Sequence, residues 1–194
     1  VGHALQLIDE GADIVDIGGE STRPGADAVD AAEECRRVLP VIEQVAAQSD
    51  ATISIDTMKA SVARQALAAG AHIINDVSAL THDPEMATVA SDGRAGVVLM
   101  HRRGTPRTMQ DDPRYDDVVA TVREYLAERV EAARAAGIEK KALAVDPGIG
   151  FGKTVTHNLQ LLANVAAWRV EGINALVGLS RKRFIGDVTG ASVD

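Results

Sequence analysis

Six short apolar segments of this 194-residue chain end in groups that bind or react rather than pack. The terminal groups are Asp16 with Glu20, Asp56, Asn75 with Asp76, His101, Asp146, and Ser180-Arg181-Lys182. A carboxylate at the edge of an apolar run loses its hydration and is costly there unless it is paired or bound to something. One such residue is explained as a helix cap; six in succession are not. Carboxylates and an amide can hold a polar ligand and stabilise positive charge, and a basic run can meet an anion. The basic runs Arg102-Arg103 and Arg181-Lys182-Arg183 stand out because the formal net charge is −8. Other chemistries find no support. No Ser/His/Asp arrangement appears, and His3, His72, His82 and His157 lack transition-metal spacing. Cys35, the single cysteine, reads as packing within a helix and rules out an internal disulfide framework.

The polar ends require elements to hold them. Nearly continuous Val/Ile/Leu/Ala runs at Ile14–Gly18, Thr52–Asp56, His72–Val77, Gly96–His101, Ala142–Asp146 and Ala175–Leu179 predict strands of a parallel sheet, buried on both faces. Amphipathic stretches between them predict helices over Gly2–Glu10, Asp30–Gln48, Lys59–Ala69, Pro84–Ser91, Tyr115–Ala136 and His157–Val170, the last with Thr156 as N-cap. Six β-then-α units leave a doubly wound sheet or a (β/α)8 barrel. Gly18-Gly19-Glu20-Ser21 is not a dinucleotide-binding glycine pattern, Gly148-Ile149-Gly150-Phe151-Gly152 lacks the spacing, and no phosphate-binding G-x-x-x-x-G-K-[ST] occurs. Polar residues at one end of every strand favour the parallel (β/α)8 barrel. Six units against eight lead to the expectation of an incomplete barrel, with one strand before Val1 and one after Asp194. The 194 residues are expected to form one partial barrel domain, insoluble or inactive if expressed alone.

Hydrophobic residues at 46% and charged residues at 25% are an ordinary globular balance, and aromatics at 3% leave the core to aliphatics. The acidic charge argues against nucleic acid, no run is long enough to span a bilayer, and no signal peptide is visible; a cytoplasmic location is the default expectation.

The strand-end segments also form a set. They are Gly18-Gly19-Glu20-Ser21-Thr22-Arg23-Pro24-Gly25, Ser54-Ile55-Asp56-Thr57, Asn75-Asp76-Val77-Ser78, Leu99-Met100-His101 with Gly104-Thr105-Pro106 and Met109-Gln110, Asp146 to Lys153, and Ser180 to Gly186. Six motifs in register through nearly the whole chain resemble the dihydropteroate synthase family of pterin-binding TIM barrels. The resemblance implies a transferase of folate biosynthesis. Such an enzyme joins 6-hydroxymethyl-7,8-dihydropterin diphosphate to p-aminobenzoate, releasing 7,8-dihydropteroate and diphosphate, with Mg2+ assisting.

The resemblance also implies roles. Asp146 would accept the two-donor edge of the pterin in bidentate fashion, with a plain turn as the alternative. Asn75 would meet other ring nitrogens. Asp56 would face the N8 side and stabilise the methylene cation, or cap the helix starting near Met58, or do both. Met100 and Phe151 would contact the flat ring, although Met100 reads equally as core. Lys182 would reach the pterin carbonyl side and border the second substrate, making Asp56 and Lys182 the candidate catalytic residues. Thr22, Arg23 and Pro24 would form the aminobenzoate pocket, where sulfonamides would compete, and Arg23 would also meet the departing diphosphate. Many family members carry Ser where this chain has Arg183; Arg183 could pair with the aminobenzoate carboxylate. His101 would lie near the diphosphate, or be a satisfied structural histidine. No metal ligand is assigned within this chain, because the family's Mg2+ and diphosphate ligands belong to strands not matched here. A homodimer is expected of the full-length protein. Two alternatives remain: a catalytically silent pterin-binding paralogue, and a corrinoid-linked methyltransferase domain.

Overall fold

The computed structural model describes residues 1–22, 25–104, 109 and 112–190. Runs rich in β-branched residues form strands β1 (Ile14–Gly18), β2 (Thr52–Asp56), β3 (Ile73–Asp76), β4 (Gly96–Met100), β5 (Leu143–Asp146) and β6 (Asn174–Ala175). They pair side by side in chain order and all in parallel. Helices α1 (Gly2–Asp9), α2 (Ala31–Gln48), α3 (Ala60–Ala68), α4 (Met86–Asp92), α5 (Val118–Ala135), α6 (Val155–Ala163), α7 (Val165–Trp168) and α8 (Arg183–Thr189) alternate with them. This is an arc of six β/α units of the parallel (β/α)8 barrel class.

The two faces of the sheet differ. Ile55, Ile74, Val97 and Leu143 share one row across β2 to β5 and are at most 1% exposed. They pack under helices whose stripes are equally buried: Val38, Ile42 and Val45 from α2, and Val122, Leu126 and Val130 from α5. Each such aliphatic contributes about 1.5–3 kcal/mol by leaving water. One residue further along, Asp56, Asn75, Val98 and Ala144 form the opposite row, of which three are only half-buried. The expectation of strands buried on both faces holds for β2, where Ile53, Ser54 and Ile55 are all buried, and for β4, where Val97, Val98, Leu99 and Met100 are; it is corrected for β1, which alternates, with Val15 buried and Ile14 and Asp16 exposed. The pleat sends aliphatics to the helices and polar groups to the inner face.

Several boundaries move for identifiable reasons. The sixth strand was expected over Ala175–Leu179 but pairs only at Asn174–Ala175, after which the Leu176 amide donates to Val145 O at 2.9 Å. Beyond that point β5 ends at Asp146 and Pro147 carries no N–H, so the ladder has no further donor on that side. Thr156 is not an N-cap. Thr154 is, with its hydroxyl accepting from the His157 amide and His157 Nδ1 accepting from the Thr154 amide. The same helix was expected to run unbroken to Val170; it stops at Ala163, where Asn164 turns at φ −123°, ψ 39°. The fifth helix starts at Val118 rather than Tyr115, because the Asp117 carboxylate accepts from the Val119 and Ala120 amides.

Candidate active site

Register places the candidate groups on one rim. Asp56 is the pairing partner of both Gly18 and Asn75, and Asp146 is the partner of Met100. All lie at the carboxyl ends of their strands, where parallel barrels carry their reactive groups. Asp56 does not cap α3. Thr57 Oγ1 takes the Lys59 amide at 3.2 Å, and Lys59, the N-cap residue, makes no side-chain cap.

At the first three strands the rim is acidic. Asn75 Nδ2 donates to Asp16 Oδ2 at 3.0 Å, which fixes the amide so that its oxygen remains free to accept. Burial, with like charge from Asp16, Glu34, Asp76 and Glu20 added, pushes the Asp56 carboxyl up to about 8. Asp76 points to the opposite side and is fully buried. Its carboxylate accepts from the Ser78 amide and hydroxyl and the Leu80 amide, holding Ala79 and Leu80 in left-handed conformations. Beneath the segment after β1, Lys59 bridges Glu20 and the buried Glu34. Burial opposes its charge, but the two carboxylates outweigh it and raise the lysine pKa.

The other half of the rim is built by the loop after β5. Asp146 Oδ1 accepts from the Gly148 amide at 2.7 Å and the residue is 7% exposed. Burial pushes its carboxyl up to about 6, against the pull of the Gly148 bond and of Lys182 and Lys153. The loop passes within contact of the end of β4: a Cβ on Gly148 (φ +67°) would lie 1.9 Å from His101 O, and one on Gly152 (φ +64°) 2.5 Å from Arg103 O. Only glycine fits at either place. Phe151 projects from this loop, and Lys182 Nζ lies 4.2 Å from its ring centroid. Burial lowers the Lys182 pKa, while the charges of Asp146 and Asp56 raise it. Burial prevails, and the net direction for Lys182 is downward.

A cleft of about 970 Å³ opens beside them, lined among others by Thr22, Phe151, Ser180, Lys182 and Arg183. Its size suits a small organic ligand. Arg183 lies at its rim with its side chain 93% exposed and its Nε 4.0 Å from Asp187 Oδ1. Arg181 holds a left-handed backbone (φ 55°) just before Lys182. Arg23 and Pro24, named as pocket residues from sequence, lie outside the described residues, as do Thr105, Pro106 and Gln110.

The structure brings Asp56, Asn75, Met100, Asp146, Phe151 and Lys182 to one rim and puts Thr22 and Arg183 in the adjoining cleft. Met100, which the sequence also allowed as core, and His101 both face inward. Met100 is 3% exposed, against the Gly148 turn. His101 is 4% exposed, stacked edge-on to Tyr125 with centroids 5.0 Å apart, and is not among the cleft residues. Burial, with Lys153 adding repulsion, lowers its pKa to about 3. Sequence reasoning missed Lys153, a buried ammonium at the base of the loop. Its place after three closely spaced glycines was the available signal. The Asp16–Asn75 pair was missed as a pair, since residues 59 apart carry no sequence sign of contact. Among the described residues no group of three or more His, Cys, Asp or Glu could hold a metal ion. Also among them, no helix is long and apolar enough to cross a membrane.

Comparison with known proteins places this geometry. A family model described as "Pterin binding enzyme" matches residues 1–194. Dihydropteroate synthase of Escherichia coli (strain K12) is 46% identical over 188 residues, which are 97% of this chain and 66% of that protein. The structure of Xanthomonas albilineans dihydropteroate synthase with 4-aminobenzoic acid superposes with a TM-score of 0.92 at 52% identity, covering 98% of this chain and 67% of that one. The same organism's enzyme in complex with 7,8-dihydropteroate gives a TM-score of 0.87 at 47% identity, over 98% of this chain and 67% of that one. The chain thus spans about two thirds of the length of the relatives it matches.

Proposed function

This chain belongs to the pterin-binding enzyme family, and from that premise we propose that the whole protein is a dihydropteroate synthase, a transferase of folate biosynthesis. It would condense 6-hydroxymethyl-7,8-dihydropterin diphosphate with p-aminobenzoate. The observation that carries this reading is the position of Lys182 over the Phe151 ring and in the lining of a ligand-sized cleft, next to the strand ends that carry Asp56, Asn75 and Asp146. One residue then serves two adjoining sites, as a two-substrate condensation requires.

Asp146 accepts the 2-amino and N3–H groups of the pterin, and Asn75, held by Asp16, presents its oxygen to a ring N–H. Phe151 and Met100 flank the ring. The methylene–oxygen bond breaks, its electron pair leaves with diphosphate, and positive charge spreads from the methylene into the ring. Asp56, in its ionised form, stabilises that charge. The amine nitrogen of p-aminobenzoate, seated between Thr22 and Lys182, attacks the methylene and then loses one proton. Arg183 at the cleft rim pairs with the aminobenzoate carboxylate. Arg23 and Pro24 complete the pocket, which sulfonamides would share, and His101 stays behind the diphosphate side as a neutral group. Mg2+, when bound, would be held by the substrate diphosphate and would help neutralise the charge of the leaving group.

The acidic charge supports small molecules rather than nucleic acid as partners, and a cytoplasmic homodimer is proposed for the full-length protein. The deciding assay supplies full-length protein with both substrates. Release of one diphosphate per dihydropteroate is expected. Calorimetric pterin binding with no diphosphate released overturns the proposal in favour of a silent binding protein.

A further inference from the structure

Lys153 is 3% exposed, and its ammonium reaches three acceptors at hydrogen-bond length: His101 Nδ1 at 2.9 Å, Gly148 O at 3.0 Å and Phe151 O at 3.0 Å. His101 O lies further off at 3.4 Å. An ammonium has three donors and no lone pair, so this cage uses it fully. The three acceptors come from two elements. Two are carbonyls of the turn whose glycines 148, 150 and 152 are all left-handed, and the third is the side chain just past β4. The same joint carries a backbone bond, His101 N to Asp146 O at 2.9 Å. A buried cation is retained at such cost only where its partners are fixed around it.

We propose that Lys153 is a positioning residue that clamps the Gly148–Phe151 turn onto His101 and so sets the placement of Asp146 and Phe151 against the pterin ring. This deepens the proposed function and rests on it for the identity of the ligand. Lys153 also lines the cleft, but its ammonium is spent on these internal acceptors rather than on substrate. It acts through the turn, and it makes Nδ1 of His101 an acceptor, which leaves the imidazole proton on Nε2. Burial pushes the Lys153 pKa down to about 7; the Asp146 charge favours the ammonium form and the Lys182 charge opposes it, so the cage is fully donated below that pH. Without the clamp, the two carbonyls and Nδ1 lose their shared donor, and the turn that carries Asp146 and Phe151 is free to tilt.

The test uses full-length protein, 15N NMR of His101 and of the lysine ammonium groups, and calorimetry with 6-hydroxymethylpterin. In the parent protein at about pH 6, below the lysine pKa and above that of His101, a slowly exchanging Lys153 NH3+ signal and an unprotonated Nδ1 are expected. Lys153→Met should abolish the Nδ1 bias and raise the Kd for the pterin about tenfold or more, a loss of about 1.4 kcal/mol. A Kd within about twofold of the parent value in a folded Lys153→Met protein overturns the proposal. So does an Nδ1-protonated His101, or a Lys153 ammonium in fast exchange, in the unaltered protein, which needs no variant to fold. A clamped ammonium in a protein that binds no pterin supports the clamp and counts against the proposed function.

Discussion

Lys182 holds its ammonium 4.2 Å from the centroid of the Phe151 ring, within the range of a cation–π contact. The contact joins the loop after β5 to the start of α8, two segments that share no strand ladder at this point. Phe151→Leu keeps the apolar bulk and removes the π face. The expected result is a two- to thirty-fold weaker affinity, from about 0.5–2 kcal/mol lost, for both pterin and aminobenzoate, since Lys182 loses its rest position. Calorimetric titration with each ligand checks it; an effect on neither ligand contradicts the assigned geometry.

Asp56 predicts opposite effects on stability and turnover. Its native carboxyl holds a proton up to about 8, against 3.8 for an ordinary Asp. Between those values the folded state binds a proton that the unfolded chain has released, so this group's contribution to stability falls as pH rises through the window. Asp56→Asn removes that slope and the repulsion from Asp16, Glu34, Asp76 and Glu20. Thermal melts from pH 5 to 8 should show a smaller loss of Tm in the variant than in the parent. Turnover should fall by about 10²–10³, the usual effect of removing one electrostatic stabiliser of a transition state, and the parent kcat/KM should rise with pH toward 8.

A second titration belongs to Asp146. Its carboxyl is raised to about 6 by burial, and only its ionised form takes two ring N–H donors. Pterin affinity should therefore be constant above pH 6 and fall about tenfold per unit below it. Titration in the Asp56→Asn background isolates the effect. A flat profile from pH 5 to 8 would remove Asp146 from the ring edge.

The capping box at the start of α6 gives a test of stability alone. Thr154→Ala should cost about 1 kcal/mol, whereas Thr156→Ala, two residues into the helix, should cost less than about 0.5 kcal/mol. Urea denaturation measures both.

Strand positions were legible because a parallel sheet wants unbroken aliphatic runs; β1 and β2 match their sequence limits, while β6 shrank where Pro147 withholds a donor across the ladder. Thr154 was passed over for Thr156 because both are threonines before the same amphipathic stretch, and only the reciprocal bond with His157 separates them. At the site, Asp56, Asn75 and Asp146 stood out because polar groups ending apolar runs are costly. Lys153 and Lys59 did not, since each acquires its meaning from acceptors tens of residues away: His101 for the first, Glu20 and Glu34 for the second. Long-range pairing of this kind leaves no periodic trace.

In β2, Ile55 at 0% exposure and Asp56 on the inner face are consecutive residues. Insertion or deletion of a single residue within that strand would exchange them, driving the carboxylate under α2 and α3 and the isoleucine into the ligand space. β3 has the same arrangement in Ile74 and Asn75. Changes of length are thus tolerable only in the connections, and β2 or β3 can be redesigned by substitution but not by changing its number of residues.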